Sequence, residues 1–290
     1  MRVLLLCSRW RESRSPDTIT GLAQVYCHYL GEGLRKRGCR ISYLNMPGVR
    51  STEAEKQHYL DVQKLPARID HVLGCEQDLV THHVRNCGSW LFYQAIRPKV
   101  GGLITSVYDR PRIDSLSDVL FTAIDNRGIP GTVYLGPAVD PDVFVSRQDP
   151  LQLTICLDHR MTARDIGDGL AEQCAAIHGF ADVIRLPERT VQRRLADSLA
   201  RSHVFIPTHP ESFGLSVIEA GIAGCLVVAK REFVHADVLR HVEHIVYDNE
   251  IPWPVVMDRV DPARCRATAL RTADRWDECA QIVFETFQSA

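Results

Sequence analysis

Short apolar runs that alternate with helix-compatible segments constrain the fold of this chain more than any other feature. The first run, residues 3–7, precedes a polar loop and then residues 21–37, whose apolar side chains recur at helical spacing up to Gly38, a suitable C-cap. The later runs cover residues 41–44, 79–81, 103–107, 119–124 and 133–135, with a helical pattern at 89–96. Strands that alternate with helices predict a doubly wound parallel sheet.

A polar, proline-terminated segment at residues 146–150 separates this series from a second one. We therefore predict an α/β chain with two Rossmann-like domains, residues 1–147 and 148–269, and a ligand-binding cleft between them. A helix at about 270–290 is predicted to pack back on the first domain. The second series has strand patterns at 153–157, 182–186, 204–207 and 226–229 and helical patterns at 166–176, 191–200 and 267–287.

Composition excludes several classes of protein. The 290 residues are 45% hydrophobic with a formal net charge of -2, so the chain is globular and has no overall basic field for nucleic acid. The longest apolar stretch near the start has five residues, too few for a secretory or membrane-spanning segment. The ten cysteines form no C-x-x-C pair. We expect a cytoplasmic protein with reduced thiols, and leave a peripheral membrane contact open.

The most informative stretch is residues 207–229, which has the pattern of a strand end, a tight loop, a helix and a buried strand. Gly214 stands where the helix begins, and unpaired backbone N–H groups and the helix dipole favour an anion there. Leu215 lies on the apolar face of the helix. Glu219 lies about one turn in, where a carboxylate can accept two hydrogen bonds from a vicinal diol.

This stretch resembles the retaining family-4 glycosyltransferases, whose signature is E-x7-E in the context E-x-F-G-L-x-x-x-E-A-x-A-x-G-x-P-V-V-A. Leu226 replaces the proline of that signature. The resemblance implies a GT-B fold and a metal-independent, hexosyltransferase-like enzyme with a UDP- or GDP-sugar as donor and no other cofactor. It implies a catalytic Glu211 and donor contacts from Ser212, Phe213, Gly214, Leu215 and Glu219. The matching positions are Glu211, Phe213, Gly214, Leu215, Glu219, Ala220, Gly224, Val227, Val228 and Ala229.

Weaker matches cover other parts of the chain. Residues 21–38 resemble the family's glycine loop and helix, which implies that Gly21, the one glycine of that loop, contacts the donor. Arg160 and Arg164 resemble the basic residues that neutralise the donor diphosphate, and a guanidinium suits that role. Asp140 and Asp142 fall in a stretch similar to the family's domain-end turn, so we interpret them as turn residues and predict no metal site.

Candidate acceptor contacts lie in the first domain. Tyr108 stands where the family often carries a histidine, directly before Asp109. His82 and His83 follow another predicted strand, and polar residues at a strand end are an equally good interpretation of them. The acceptor itself, whether glycan, lipid, small molecule or modified DNA, is not identified by the sequence.

Three alternatives stay open at this point. A nucleotide-sugar epimerase has the same two-domain architecture. A non-catalytic protein that binds a sugar nucleotide would explain the single glycine and the replaced histidine. An enzyme that glycosylates a modified DNA base would suit the arginine-rich segment at residues 189–201.

Overall fold

The computed structural model describes residues 1–8, 19, 22–46, 68–75, 99–104, 118–122, 132–147, 153–158, 180–187, 190–210, 214–273 and 275–289. Within these residues the chain forms two compact units. The first comprises Met1–Ser15, Gly21–Gly136 and Trp276–Ala290, and the second comprises Pro16–Thr20 and Pro137–Arg275. The predicted domain boundaries at 147 and 269 stay predictions.

The described residues form both strands and helices. In chain order they are β1 (Arg2–Ser8), α1 (Leu22–Lys36), β2 (Arg40–Met46), β3 (His71–Gly74), β4 (Lys99–Ile104), β5 (Val119–Thr122), β6 (Thr132–Tyr134), β7 (Leu153–Asp158), β8 (Phe180–Leu186), α2 (Gln192–Ala200), β9 (Val204–Pro207), α3 (Leu215–Ile222), β10 (Leu226–Lys230), α4 (Ala236–Leu239), β11 (His244–Tyr247), α5 (Trp253–Arg259), α6 (Pro262–Thr272) and α7 (Trp276–Ser289).

The first unit is built on a parallel sheet with the strand order β2-β1-β3-β4-β5-β6. In β1, the residues from Val3 to Cys7 are at most 1% exposed, as expected for a central parallel strand covered on both faces. Aspartates fix two strand starts, since Asp70 accepts a hydrogen bond from the Arg2 backbone N–H at 2.8 Å and Asp118 accepts one from the Val100 N–H at 2.8 Å.

Two helices pack together in the first unit. Helix α1 ends before Gly38, whose φ of 80° is left-handed, and the Cys39 N–H donates to the Leu34 carbonyl oxygen at 3.1 Å. The predicted glycine C-cap is therefore confirmed. The Tyr29 ring stacks on Trp276 of α7 with centroids 5.0 Å apart, and Tyr26 meets the same indole edge-on at 4.9 Å.

The C-terminal region differs from the prediction. The sequence pattern indicates one helix over residues 267–287, but the chain forms α6 and α7 with a break between them. Ala273, with φ -85° and ψ 130°, is extended and ends α6. Apolar spacing continues through this break because both helices bury one face, so periodicity alone does not detect it.

The second unit has its own parallel sheet, with the order β11-β10-β9-β7-β8. Counted from the first strand of each unit, both sheets share the order 2-1-3-4-5, a known doubly wound arrangement. An apolar cluster buries one part of this sheet against α5 and α6. Its members are Ile155, Leu157, Val204, Ile206, Leu226, Val228, Ile245, Tyr247, Ile251, Val256 and Cys265.

Two strands, β3 and β11, are absent from the sequence prediction. Each has four residues, and β11 alternates between half-buried and buried positions at a sheet edge, so neither forms a long apolar run. The strand predicted at 79–81 and the helices predicted at 89–96 and 166–176 lie outside the described residues.

Candidate functional site

The carboxyl ends of β7 and β9 form the topological switch point of the second sheet. The two strands are parallel neighbours in which Asp158 pairs with Pro207. Strand β8 lies on the other side of β7, so the order of the chain reverses between β7 and β9. In doubly wound sheets the connections then leave in opposite directions and open a crevice for a ligand.

Buried polar groups occupy this switch point. Asp158 is 0% exposed and Thr208 is 1% exposed. The Thr208 hydroxyl donates a hydrogen bond to the backbone carbonyl oxygen of Asp158 at 2.5 Å. His209, the next residue, is half-buried, and Pro210 is exposed. The chain thus passes from the core to the surface within three residues of the end of β9.

Helix α3 begins close to this point along the chain. Gly214 is its N-cap residue, with φ 76° and ψ 30°, and its carbonyl oxygen accepts hydrogen bonds from Val217 N–H at 3.0 Å and Ile218 N–H at 3.3 Å. A Cβ at position 214 would lie 2.9 Å from Cγ1 of Val238 in α4. Both the left-handed backbone and the close contact favour glycine. Gly214 provides no side-chain cap, and the positive end of the helix dipole favours an anion at this end.

Glu219 lies one turn into α3. The helix runs through the interior, with all eight residues buried, and Glu219 is 4% exposed. A carboxylate at such a depth is stable only where hydrogen bonds or opposite charges compensate for the lost water. Leu215, at the start of the helix, is 8% exposed and belongs to the core. The predicted helix and its apolar Leu215 are therefore present, whereas the predicted contact of Glu219 with a ribose stays a prediction.

An arginine that the sequence did not single out fixes the other end of α3. The Arg266 guanidinium of α6 donates to the carbonyl oxygens of Phe144 at 2.6 Å and Pro141 at 3.2 Å, and also to that of Ile222, the last residue of α3. These acceptors lie 44 to 125 residues from Arg266 in the sequence, so no local pattern predicts the contact. Arg266 thereby fastens the carboxyl end of the candidate helix to residues 141–144.

The turn at residues 140–144 has the predicted character. The Asp140 carboxylate accepts a hydrogen bond from the Asp142 N–H at 3.0 Å, and its carbonyl oxygen accepts from Val143 and Phe144. These are the contacts of a turn residue. Within the part of the chain that the structure describes, no three histidine, cysteine, aspartate or glutamate side chains come together in a way that could hold a metal ion.

Several predicted site residues lie outside the described residues. Glu211, Ser212 and Phe213 fall between Pro210 and Gly214, and Arg160 follows two residues after Asp158. The remaining positions outside the description are Arg164, Gly21, Tyr108, Asp109, His82 and His83. Their proposed contacts stay predictions.

Comparison with known sequences gives one informative relative. No family model matches the chain. A D-inositol 3-phosphate glycosyltransferase of Xylanimonas cellulosilytica is 32% identical over 167 residues, which are 52% of this chain. The match spans 39% of the length of that relative. Among the described residues, no helix is long and apolar enough to cross a membrane.

Solved structures resemble the chain over nearly its whole length. Sucrose-phosphate synthase of Thermosynechococcus elongatus has a TM-score of 0.66 at 13% identity and covers 99% of this chain and 98% of its own. The HepE protein of Anabaena, in complex with UDP and glucose, has a TM-score of 0.62 at 10% identity, with 99% of each chain covered. A UDP-GlcNAc 2-epimerase of Neisseria meningitidis has a TM-score of 0.61 at 13% identity and covers 100% of both chains. These likenesses confirm an α/β fold of the GT-B type with two Rossmann-like domains.

Proposed function

We propose that this chain is a retaining glycosyltransferase that moves a sugar from a nucleoside-diphosphate donor bound by its second unit. The observation that carries the proposal is the start of α3 at Gly214, seven residues after the carboxyl end of β9 at the switch point, with Glu219 buried one turn in. The named activity of the Xylanimonas relative and the nucleotide bound to HepE support it.

The proposed chemistry centres on the leaving group. Charge develops on the β-phosphate as its bond to the sugar C1 breaks, and preorganised positive groups would stabilise that charge. Arg160, Arg164 and the amino end of α3 supply those groups in this proposal. Glu211 orients the transferred sugar, and Glu219 accepts hydrogen bonds from the ribose hydroxyls. Because these basic residues stabilise the phosphate charge in this proposal, the reaction is proposed to need no metal.

The acceptor side is proposed to involve Tyr108, Asp109, His82 and His83 of the first unit. The name of the Xylanimonas relative makes D-inositol 3-phosphate the first acceptor to try. A wider panel of polyols, glycans and lipid acceptors should follow, since the match covers 52% of this chain and 39% of that relative.

A donor screen followed by product analysis tests the proposal. We expect UDP-sugars or GDP-sugars to raise the melting temperature more than ADP- or dTDP-sugars. A ligand at 100 times its dissociation constant stabilises by about 2.7 kcal/mol. With the best donor, NMR of the product should show the anomeric configuration of the donor. Donor binding by none of these sugars, or a product with inverted configuration, would contradict the proposal.

Substitution of the two glutamates tests the site. We expect Glu211→Gln and Glu219→Gln each to lower kcat/KM by at least about tenfold, which corresponds to ~1.4 kcal/mol of lost transition-state stabilisation. Glu250→Gln, at an exposed glutamate of the same unit, is the matched control and should leave kcat/KM unchanged. Equal kcat/KM in all three variants would show that neither Glu211 nor Glu219 belongs to the donor site.

Epimerisation is the second candidate, because the Neisseria 2-epimerase matches the full length of both chains. An epimerase converts the donor sugar without any acceptor, whereas a transferase makes a new glycoside. Incubation of the chain with UDP-GlcNAc alone, followed by NMR of the sugar, separates the two. We expect no isomerised sugar nucleotide. If one accumulates, epimerisation becomes the proposed activity in place of transfer.

A further inference from the structure

Two buried polar residues at the switch point, Asp158 and Thr208, carry an inference that rests on the proposed function. We call them the buried polar pair. Asp158 is the last residue of β7, and Thr208 directly follows β9. They are 0% and 1% exposed, respectively.

The buried polar pair stands at the carboxyl ends of two largely apolar strands. Ile155 and Leu157 in β7 and Val204 and Ile206 in β9 are all 0% exposed and belong to one apolar cluster. A carboxyl group and a hydroxyl in the same interior cost free energy that aliphatic side chains would not. Polar residues that disfavour stability in a core occur preferentially at functional sites.

The hydrogen bond of Thr208 connects the two strand ends. The Thr208 hydroxyl donates to the Asp158 carbonyl oxygen at 2.5 Å, one residue beyond the register pair of Asp158 with Pro207. This hydrogen bond joins the backbone at the end of β7 to the side chain of the residue that follows β9. From these two positions the chain continues to Arg160 within two residues and to Glu211 within three.

We propose that Thr208 is a positioning residue of the donor site, acting through its hydrogen bond to the backbone carbonyl oxygen of Asp158. This bond holds the carboxyl ends of β7 and β9 together, and the proposed phosphate-binding and sugar-binding segments follow these two ends in the sequence. Thr208 and Asp158 are 1% and 0% exposed, so the proposed role is to hold the strand ends and not to contact the donor. When groups must converge on one substrate, a small displacement of them lowers the reaction rate strongly but changes the free energy of unfolding little.

Substitution of Thr208 provides the main test. Thr208→Val keeps the shape of the side chain and removes the hydroxyl that donates the hydrogen bond. Thr208→Ser keeps that hydroxyl. Thr154→Val is the matched control, at a 7% exposed threonine near the opposite end of β7. We expect Thr208→Val to lower kcat/KM for the donor at least tenfold while lowering the melting temperature no more than Thr154→Val does. Thr208→Ser should restore activity to within about threefold of the parent.

The proposal is overturned if Thr208→Val stays within twofold of the parent, or if Thr154→Val loses as much activity.

The order of measurements separates this proposal from the proposed function. Donor binding and sugar transfer are measured on the parent first. A parent that binds no sugar nucleotide refutes the proposed function. A parent that transfers sugar while Thr208→Val leaves transfer intact refutes only the role of the buried polar pair.

Discussion

At the scale of single residues, Gly214 shows how backbone geometry limits sequence choice. Its φ of 76° is disfavoured for residues with a Cβ, and Val238 occupies the space that a Cβ would enter. We expect Gly214→Ala to lower the free energy of unfolding by about 1–2 kcal/mol, measured by urea denaturation. It should also weaken donor binding, because the first turn of α3 must shift.

Gly224, at the other end of the same helix, offers the control for this prediction. Its φ of 93° is also left-handed, so Gly224→Ala should cost similar stability. Donor affinity of the folded protein should fall in Gly214→Ala and stay near the parental value in Gly224→Ala. Equal donor affinities in the two variants would mean that the amino end of α3 does not bind the donor.

Leu226 shows how the chain accommodates a departure from the family signature. Where the signature has proline, the Leu226 N–H donates to the His203 carbonyl oxygen at 2.8 Å, a bond that proline cannot make. Its side chain is 1% exposed within the apolar cluster of the second unit. The leucine therefore supplies a backbone hydrogen bond at the start of β10.

At the scale of elements, the contact of α1 with α7 depends on a missing methyl group. A Cβ at Gly33 would collide with the Cβ of Ala280, which is 0% exposed. Gly33→Ala gains about 1 kcal/mol of helix propensity but overpacks the contact, which costs about 1–3 kcal/mol. We expect a net loss of up to about 2 kcal/mol in the free energy of unfolding.

A double-mutant cycle checks this contact. Ala280→Gly alone should cost about 1 kcal/mol through helix propensity, and Gly33→Ala combined with Ala280→Gly moves the methyl group from one helix to the other. We expect the double variant to lie close to the parent in urea unfolding. Simple addition of the two single losses would show that the helices do not approach at Gly33.

At the scale of the whole molecule, the buried His241 and the half-buried His28 make stability depend on pH. Burial lowers the pKa of His241, aided by the Arg240 charge, and burial likewise lowers the pKa of His28. The neutral His241 ring is satisfied when Nδ1 donates to the Thr272 carbonyl oxygen, 3.2 Å away, and Nε2 accepts from Arg240 at 3.3 Å. Each depressed pKa means that the unfolded chain takes up protons first as the pH falls.

We therefore expect the free energy of unfolding to decrease as the pH falls from about 7 to 5.5, below the ordinary histidine value of about 6.5. Urea unfolding at several pH values measures this slope, and His241→Asn should reduce it. Burial alone would raise the pKa of Glu243, but Thr268, Arg264 and Arg259 lower it overall, so its contribution disappears only below about pH 4.5. A flat or rising stability between pH 7 and 5.5 would contradict the prediction.

The sequence alone determined the features that repeat locally along the chain. Apolar periodicity predicted the alternation of strands and helices, because a buried parallel strand and a helix that covers it impose different spacings on their own residues. The patterns at residues 204–207 and 226–229 predicted β9 and β10 to within one residue, and the pattern between them predicted a helix where α3 lies. Gly38 was recognisable because a helix that ends in a left-handed residue selects glycine there.

Only the tertiary structure decided what depends on residues far apart in sequence. The bond between Thr208 and Asp158 joins positions 50 residues apart, and the bond of Arg266 to Phe144 spans 122. Likewise, β3 became a strand by pairing with β1 and β4 rather than through its own four residues. Burial and long-range hydrogen bonds come from packing, which no window of neighbouring residues contains.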